Sequence, residues 1–151
     1  MCFLFESFKG WKDYCESHDM QLHEAVIEYE VSEKEATEEK IWWGLDNAYK
    51  VMKDAVQTGL TQDMTSRSGM INNGAKKVFN YHTPILSKEF QVLISRALAA
   101  KEVNSCMGRV VAAPTAGASG IIPGVMVTFQ ELHGMEDRKI HEALLVSAGI
   151  A

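Results

Sequence analysis

The sequence predicts an all-α protein, a helical bundle of six or seven helices that forms a single domain over residues 1–151. Apolar residues recur at intervals of three or four along most of the chain, which is the spacing of one helix face. No stretch alternates between polar and apolar residues as a half-buried strand would. With 151 residues and 46% hydrophobic content, the chain is long enough to bury one core. These observations favour a bundle of ordinary helices.

Three helices are expected in the first 60 residues. The first covers residues 3–14, and the second covers Leu22–Val31. Ser32 and Glu35 have the spacing of a capping box, which would begin a long third helix. Gly59 is expected to end that helix, because glycine readily adopts left-handed backbone angles. The residues expected to face inward on the third helix are Ile41, Trp42, Leu45, Ala48, Tyr49, Met52, Ala55 and Val56.

In the second half of the chain, the sequence predicts one short helical piece, at Ala75–Tyr81, and three longer helices. One begins after the capping residue Ser87, the next begins beyond Gly120 and runs to His133–Gly134, and the last begins at Asp137. The residues expected to face inward on these three helices are, in order, Phe90, Leu93, Ile94, Ala97 and Leu98; Ile121, Val125, Phe129 and Leu132; and Ile140, Ala143, Leu144, Ser147 and Ala148.

Composition and charge exclude several classes of function. The chain has 20 acidic and 15 basic residues, a net charge of -5, and no basic cluster, which argues against a nucleic-acid partner. No apolar run is long enough to span a bilayer, and the N-terminus is too short for a signal peptide, so we expect a cytoplasmic protein with no membrane partner. Cys2, Cys15 and Cys106 show no CxxC spacing, which argues against a disulfide framework or a metal site completed within this chain.

The first of two candidate functional loops lies between Leu60 and Gly74, where helical periodicity stops. Ser66, Arg67, Ser68 and Gly69 place two hydroxyls, a guanidinium and a flexible backbone within four residues. Such a group can hold a small carboxylate, which arginine binds with two parallel hydrogen bonds. A solvated surface loop is the alternative interpretation.

The second loop lies within Asn104–Gly124, which is rich in small residues and contains two of the three prolines. Thr115–Gly117 leads into an apolar series, as a loop that opens a helix would. The N-terminus of a helix presents free N–H donors that can bind a carboxylate or a phosphate. A tight turn between two packed helices is the alternative. Asn104 is expected either to bond to neighbouring backbone or to face a ligand cavity.

Several segments together resemble a known family. Ser66–Gly69, followed by Gly74–Lys77, is similar to the SRSG segment of the iron–sulfur-dependent L-serine dehydratases, α chain. Glu102–Asn104 and Met107–Gly117 resemble that family's EVNASMGRIVAAPTAG region. Ala118–Gly120, Ile122–Pro123 and Phe5–Phe8 continue the resemblance, which covers most of the chain.

The resemblance implies a deamination of L-serine to pyruvate and ammonia that does not use pyridoxal phosphate. In this family one iron of a 4Fe–4S cluster is free of cysteine ligands and acts as a Lewis acid on the substrate hydroxyl. A side-chain base then removes the Cα proton, and the resulting aminoacrylate hydrolyses.

The resemblance also suggests which residues hold the substrate carboxylate, beside which negative charge develops. We expect the two loops to meet in space and to bind this carboxylate from opposite sides. Arg67 and Arg109 would be charge partners or braces of the loops, and His82, His133 and Lys101 are candidates for a base that the sequence does not identify. The expected substrate-binding residues are Ser66, Ser68 and Gly69 on one side and Asn104, Thr115, Ala116 and Gly117 on the other.

The chain departs from the family in its cysteines. The family's cluster ligands lie in a Gly-Gly-Cys segment and beyond, downstream of the region that matches Ala151. We therefore expect a fragment of a longer chain that binds no cluster and is inactive alone, whereas the full-length protein holds the 4Fe–4S cluster. A β domain or β chain is the expected partner, within an oligomer. The alternatives are a related iron–sulfur L-cysteine desulfidase, or a non-catalytic helical module that binds small anions or a partner helix.

Overall fold

The computed structural model describes residues 7–81 and 83–150, and within them the all-α class is confirmed. The described residues contain one isolated antiparallel bridge, between Thr65 and Asn72, and no strand. None of the described helices combines the length and the apolar character needed to cross a membrane. The helices are α1 (Phe8–Ser17), α2 (Leu22–Lys34), α3 (Glu38–Thr61), α4 (Gly74–Asn80), α5 (Lys88–Ser105), α6 (Ala118–His133) and α7 (Asp137–Ile150).

The helices fall into two compact units, and the division passes through α3. The first unit contains α1, α2, the start of α3 up to Asp46, and α7. The second unit extends from Asn47 to Glu136 and contains the rest of α3 together with α4, α5 and α6. The expectation of a single domain over residues 1–151 stays a prediction.

The first unit packs around Trp11, Cys15 and Ala25, which are buried together. Burial raises the pKa of the Cys15 thiol, because the interior disfavours the thiolate. On α7, the predicted inward residues Ile140 and Leu144 are buried.

The boundary between α2 and α3 differs from the prediction. Ser32 lies in the last turn of α2 and donates a hydrogen bond to the Tyr29 carbonyl (3.4 Å), so it does not begin α3. The helix ends at Lys34, and the capping residue Glu35 has a left-handed backbone with φ 53°. The Ile41 N–H donates to the Thr37 carbonyl (3.1 Å), which places the first turn of α3 after Thr37. The capping-box pattern alone cannot exclude a serine that hydrogen-bonds back into a preceding helix.

In the second unit, the backbone of α5 approaches both α3 and α6 very closely. A Cβ at Gly59 of α3 would lie 2.4 Å from the Ala99 carbonyl oxygen, and one at Gly124 of α6 would lie 2.6 Å from the Ala97 nitrogen. The prediction that Gly59 ends α3 is therefore wrong, since α3 continues to Thr61. Gly59 is required for close packing and not for a left-handed turn.

The buried faces of α5 and α6 also differ from the prediction, which relied on large apolar residues. Phe90 on α5 is 51% exposed, and Ile121, Phe129 and Leu132 on α6 are 45–56% exposed. Small side chains face the neighbouring helices, because larger ones would hold the backbones apart. The buried residues are Gln91, Ser95, Ala99, Ala100, Glu102 and Val103 on α5, and Ser119, Gly120, Pro123, Gly124, Val127 and Thr128 on α6.

We expect opposite effects from alanine at two glycines of the same helix. Gly59→Ala places a Cβ against the Ala99 backbone and should lower the free energy of unfolding by about 1–3 kcal/mol. Gly44→Ala meets no atom within 4 Å and should raise it by about 0.5–1 kcal/mol, because alanine favours helix. Urea denaturation followed by circular dichroism measures both. A Gly59→Ala protein as stable as the wild type would contradict the packing argument.

Candidate functional site

The two candidate loops are both attached to the C-terminal turn of α5. The Glu102 carboxylate accepts hydrogen bonds from the N–H groups of Gly74 (2.8 Å) and Ala75 (3.2 Å), where the first loop ends. The Glu102 main-chain carbonyl accepts the Cys106 N–H (2.9 Å), where the second loop begins. The Val103 carbonyl accepts the Gly108 N–H (2.8 Å). One turn of helix therefore positions an end of each loop.

The short helix α4 is held by α5 at both ends. Glu102 binds its N-terminal N–H groups, and the buried Gln91 binds its C-terminal carbonyls. The Gln91 amide donates to the carbonyls of Val78 (2.8 Å) and Phe79 (3.3 Å), and also to that of Tyr81. A carboxylate at the start of a helix and an N–H donor at its end both match the helix dipole. These bonds fix the position of Gly74.

The first loop folds back on itself as a small hairpin. The Met64 N–H donates to the Asn73 side-chain oxygen (2.7 Å), and the Asn73 N–H donates to the Met64 carbonyl (3.0 Å). At the tip, Gly69 has φ +72°, and its N–H donates to the Ser66 carbonyl (2.9 Å). Gly69 therefore closes the turn, and its N–H group is already engaged.

The hydroxyls of the first loop are oriented by backbone donors. The Ile71 N–H donates to Ser66 Oγ (3.1 Å), and the Met70 N–H donates to Ser68 Oγ (3.4 Å). The two Oγ atoms lie 3.2 Å apart, so one hydroxyl donates to the other. The remaining O–H is then a donor that can bind a ligand. Arg67 is exposed and has no ion pair with any described residue, which leaves its guanidinium free for an anion.

In the second loop, free N–H groups precede the helix. Thr115 satisfies the first turn of α6, because its Oγ1 accepts the Ala118 N–H and its carbonyl accepts the Ser119 N–H, both at 3.1 Å. Within the described part of the chain, the N–H groups of Thr115–Gly117 have no acceptor. These residues are exposed. Three consecutive exposed donors of this kind can bind an anion.

The other predicted contact residues are exposed. The Asn104 carbonyl accepts the Met107 N–H (3.1 Å), but its side-chain amide makes no hydrogen bond to any described residue. That amide is therefore available to a ligand. Arg109 is likewise exposed, without an ion pair to the described residues.

The predicted site residues fall into two groups that share their attachment to α5. No hydrogen bond between described residues joins Ser66–Gly69 to Thr115–Gly117. The prediction that both loops bind one carboxylate stays a prediction. Their common attachment to the Glu102 turn is consistent with it.

The three candidate bases are placed differently. His133 is at the far end of α6, about 22 Å from Ala118 at 1.5 Å per residue, which is too far to act beside Thr115. Lys101 adjoins the start of α6, since a Cβ at Gly120 would lie 3.2 Å from the Lys101 Cβ. His82 lies outside the described residues. Lys101 is the one described candidate near a loop.

The described residues contain no group of side chains that fits an iron–sulfur cluster, and Cys2 lies outside them. Among residues 7–81 and 83–150, no three His, Cys, Asp or Glu side chains are grouped as a metal site. Cys15 is buried in the first unit, and Cys106 is partly exposed in the second.

Glu102 is the residue that the loop-centred prediction missed. It is 4% exposed, which is rare for a carboxylate unless it has partners. Its spacing from Gln91, Ser95 and Ala99 places all four on one helix face. This face of small and polar residues was the feature of the sequence that could have indicated a buried Glu102.

A cavity of about 500 Å³ lies elsewhere in the second unit, at the connection between α4 and α5. Its lining includes Phe79, Pro84, Leu86 and Val92 and none of the predicted site residues. It is therefore separate from the two loops.

Comparison with known proteins identifies the family. Residues 17–151 match the family model described as the serine dehydratase alpha chain. The chain is 33% identical over 141 residues to the L-serine dehydratase, alpha chain, of Peptoniphilus asaccharolyticus, covering 91% of this chain and 48% of that protein. It is 30% identical over 131 residues to the probable L-serine dehydratase, alpha chain, of Bacillus subtilis, covering 85% of this chain and 43% of that protein.

A more distant relative is the L-serine dehydratase of Haemophilus influenzae, at 27% identity over 144 residues, covering 91% of this chain and 31% of that protein. The chain thus spans less than half the length of these relatives. No solved structure matches it significantly. By its family match and these relatives, the chain belongs to the serine dehydratase alpha chain family.

Proposed function

We propose that this chain is the substrate-binding part of an L-serine ammonia-lyase, which converts L-serine to pyruvate and ammonia. Membership of the serine dehydratase alpha chain family is the observation that supports this most directly. The two loops supply a chemical reason, since both present hydrogen-bond donors at positions set by the same turn of α5. A carboxylate is the ligand group that such donors suit.

In the proposed site, the loops hold the substrate carboxylate. A hydroxyl of the Ser66–Ser68 pair donates from one side, and the free N–H groups of Thr115–Gly117 donate from the other, together with the Asn104 amide. Removal of the Cα proton places negative charge next to this carboxylate. Donors already fixed in position stabilise that charge without reorganising. Gly69 contributes by shaping the turn.

We propose that the complete protein uses a 4Fe–4S cluster and no pyridoxal phosphate, with cluster ligands outside these 151 residues. When bound, the cluster would supply a Lewis acid for the leaving hydroxyl. The chain alone would then form no pyruvate. A β domain or β chain would complete the enzyme, as an oligomer in the cytoplasm.

An activity assay tests the proposed reaction. The complete α chain, purified anaerobically with its β part, should form pyruvate from L-serine at a rate that iron chelation abolishes. The 151-residue chain should form none. L-Cysteine serves as the competing substrate, because its carboxylate and ammonium groups are the same. Hydrogen sulfide released from L-cysteine, with no pyruvate from L-serine, would make the protein a desulfidase instead.

Ser68→Ala should weaken substrate binding in the complete enzyme. The change removes one hydroxyl of the Oγ pair, and a hydrogen bond to a charged acceptor is worth about 1.5–3 kcal/mol. We expect kcat/KM for L-serine to fall about tenfold or more. Ser32→Ala is the matched control, because that hydroxyl bonds only to a carbonyl within α2. Equal kcat/KM values for Ser68→Ala and the wild type would show that the Ser68 hydroxyl does not bind the substrate.

The Lys76–Asp63 ion pair beside the first loop should control the pKa of the Asp63 carboxyl. Lys76 bonds to Asp63 (2.8 Å) and lowers the pKa of that carboxyl. Because the Asp63 pKa is lower in the folded than in the unfolded state, the ion pair stabilises the fold at pH values above the ordinary Asp pKa. This contribution to the free energy of unfolding disappears as pH falls through the folded-state pKa. Lys76→Met should raise the Asp63 pKa towards its ordinary value in a carboxyl NMR titration. An unchanged Asp63 pKa would show that the pair does not form in solution.

A further inference from the structure

Glu102 has one carboxylate oxygen with no donor. Oε1 accepts the N–H groups of Gly74 and Ala75, whereas Oε2 is buried and has no hydrogen-bond partner. Buried polar atoms are nearly always hydrogen-bonded, and an unsatisfied charged acceptor is especially unfavourable. A donor for Oε2 is therefore missing from the described residues.

Nearby cations of the chain do not supply this donor. Lys76 is bonded to Asp63 and Lys77 to the Asn72 carbonyl, each at 2.8 Å. Lys101, the neighbour of Glu102 on α5, is exposed. Among the described residues Glu102 is also the single buried acidic side chain. No described cation therefore forms an ion pair with this carboxylate.

The place of Glu102 in the fold indicates what the missing donor is. The two loops attached to its turn of α5 offer donors that suit a carboxylate. A site made of such donors alone would bind any small carboxylic acid. An α-amino acid has an ammonium group on the carbon that bears its carboxylate, and a cation beside a buried carboxylate makes a strong, charge-assisted hydrogen bond.

We propose that Glu102 Oε2 accepts a hydrogen bond from the ammonium group of the amino-acid substrate. This assignment rests on the proposed function, because the loops must hold the carboxylate of the same molecule. Oε2 is shielded from solvent, so the substrate reaches it through a local opening of the neighbouring loops, which are the kind of segment that opens most easily. Glu102 then selects amino acids over hydroxy acids of the same size.

The test compares two ligands in the complete enzyme. L-Serine has the ammonium group, and 3-hydroxypropanoate, used as a competitive inhibitor, lacks it. Glu102→Gln keeps an Oε1 acceptor for Gly74 and Ala75 but replaces the Oε2 acceptor by an NH₂ donor. We expect the KM for L-serine to rise at least about tenfold, from the loss of a charge-assisted bond. The Ki for 3-hydroxypropanoate should change less than about twofold, since that ligand never used Oε2.

Glu39→Gln is the control, because Glu39 is exposed on α3; it should change neither constant. Amide exchange of Gly74 and Ala75 verifies that Glu102→Gln keeps the α4 contact. Equal weakening of both ligands would make Glu102 a positioning residue and overturn the proposal. An unchanged KM for L-serine would also overturn it, and would indicate a water molecule at Oε2.

The wild-type enzyme gives a second test that needs no variant. L-Serine should bind at least about tenfold more tightly than 3-hydroxypropanoate, by the same reasoning. Equal affinities would overturn the ammonium assignment and leave the proposed function standing. Failure of the wild type to bind either ligand would overturn the proposed function, and this proposal with it.

Discussion

The close backbone approach of α5 to α3 and α6 is the constraint on which the candidate site depends. Glycines at positions 59, 120 and 124 allow neighbouring backbone atoms of α5 to lie where a Cβ would otherwise be. Protein interiors are packed tightly enough that such contacts leave little freedom to slide or rotate. The C-terminal turn of α5 is therefore fixed against two other helices. Both loops are attached to that turn, so helix packing sets the positions of the attached loop ends.

This packing also explains why α5 buries polar side chains. The small residues on the buried face of α5 leave space beside them for longer polar side chains. These side chains can hydrogen-bond to the ends of a neighbouring helix. Gln91 and Glu102 use that room to hold the two ends of α4. On the α6 side, Thr128 bonds to the Gly124 carbonyl and accepts a hydrogen bond from Arg96. The interface is thus specified by directional hydrogen bonds as well as by apolar burial, which favours one register of the helices over others.

Much of the fold could be predicted from the sequence, because helix class and several helix ends depend on local chemistry. Ser87 caps α5 and Gly134 ends α6 with a left-handed backbone, as their residue types predict. The buried faces could not be predicted from hydrophobicity, since Ser95 and Gly124 are buried while Phe129 is half exposed. Which neighbour a helix approaches closely is a tertiary property. The motif residues were identifiable as a group, but the burial of Glu102 depends on its contacts with Gly74 and Ala75, which are distant in sequence.

The hydrogen bonds within each loop determine which atoms remain for a ligand. A serine hydroxyl can accept from the backbone and donate elsewhere, and the N–H groups of Met70 and Ile71 occupy the acceptor side of the Ser66–Ser68 pair. Thr115 similarly accepts from the first turn of α6, which leaves the N–H groups before the helix without acceptors. The free polar groups of both loops are therefore hydrogen-bond donors, whereas the turn of α5 to which the loops are attached has a buried carboxylate with one oxygen unsatisfied. Donors alone would recognise an anion. Donors on two loops attached to a turn with a buried acceptor are what the proposed binding of a carboxylate and an ammonium group on one carbon requires.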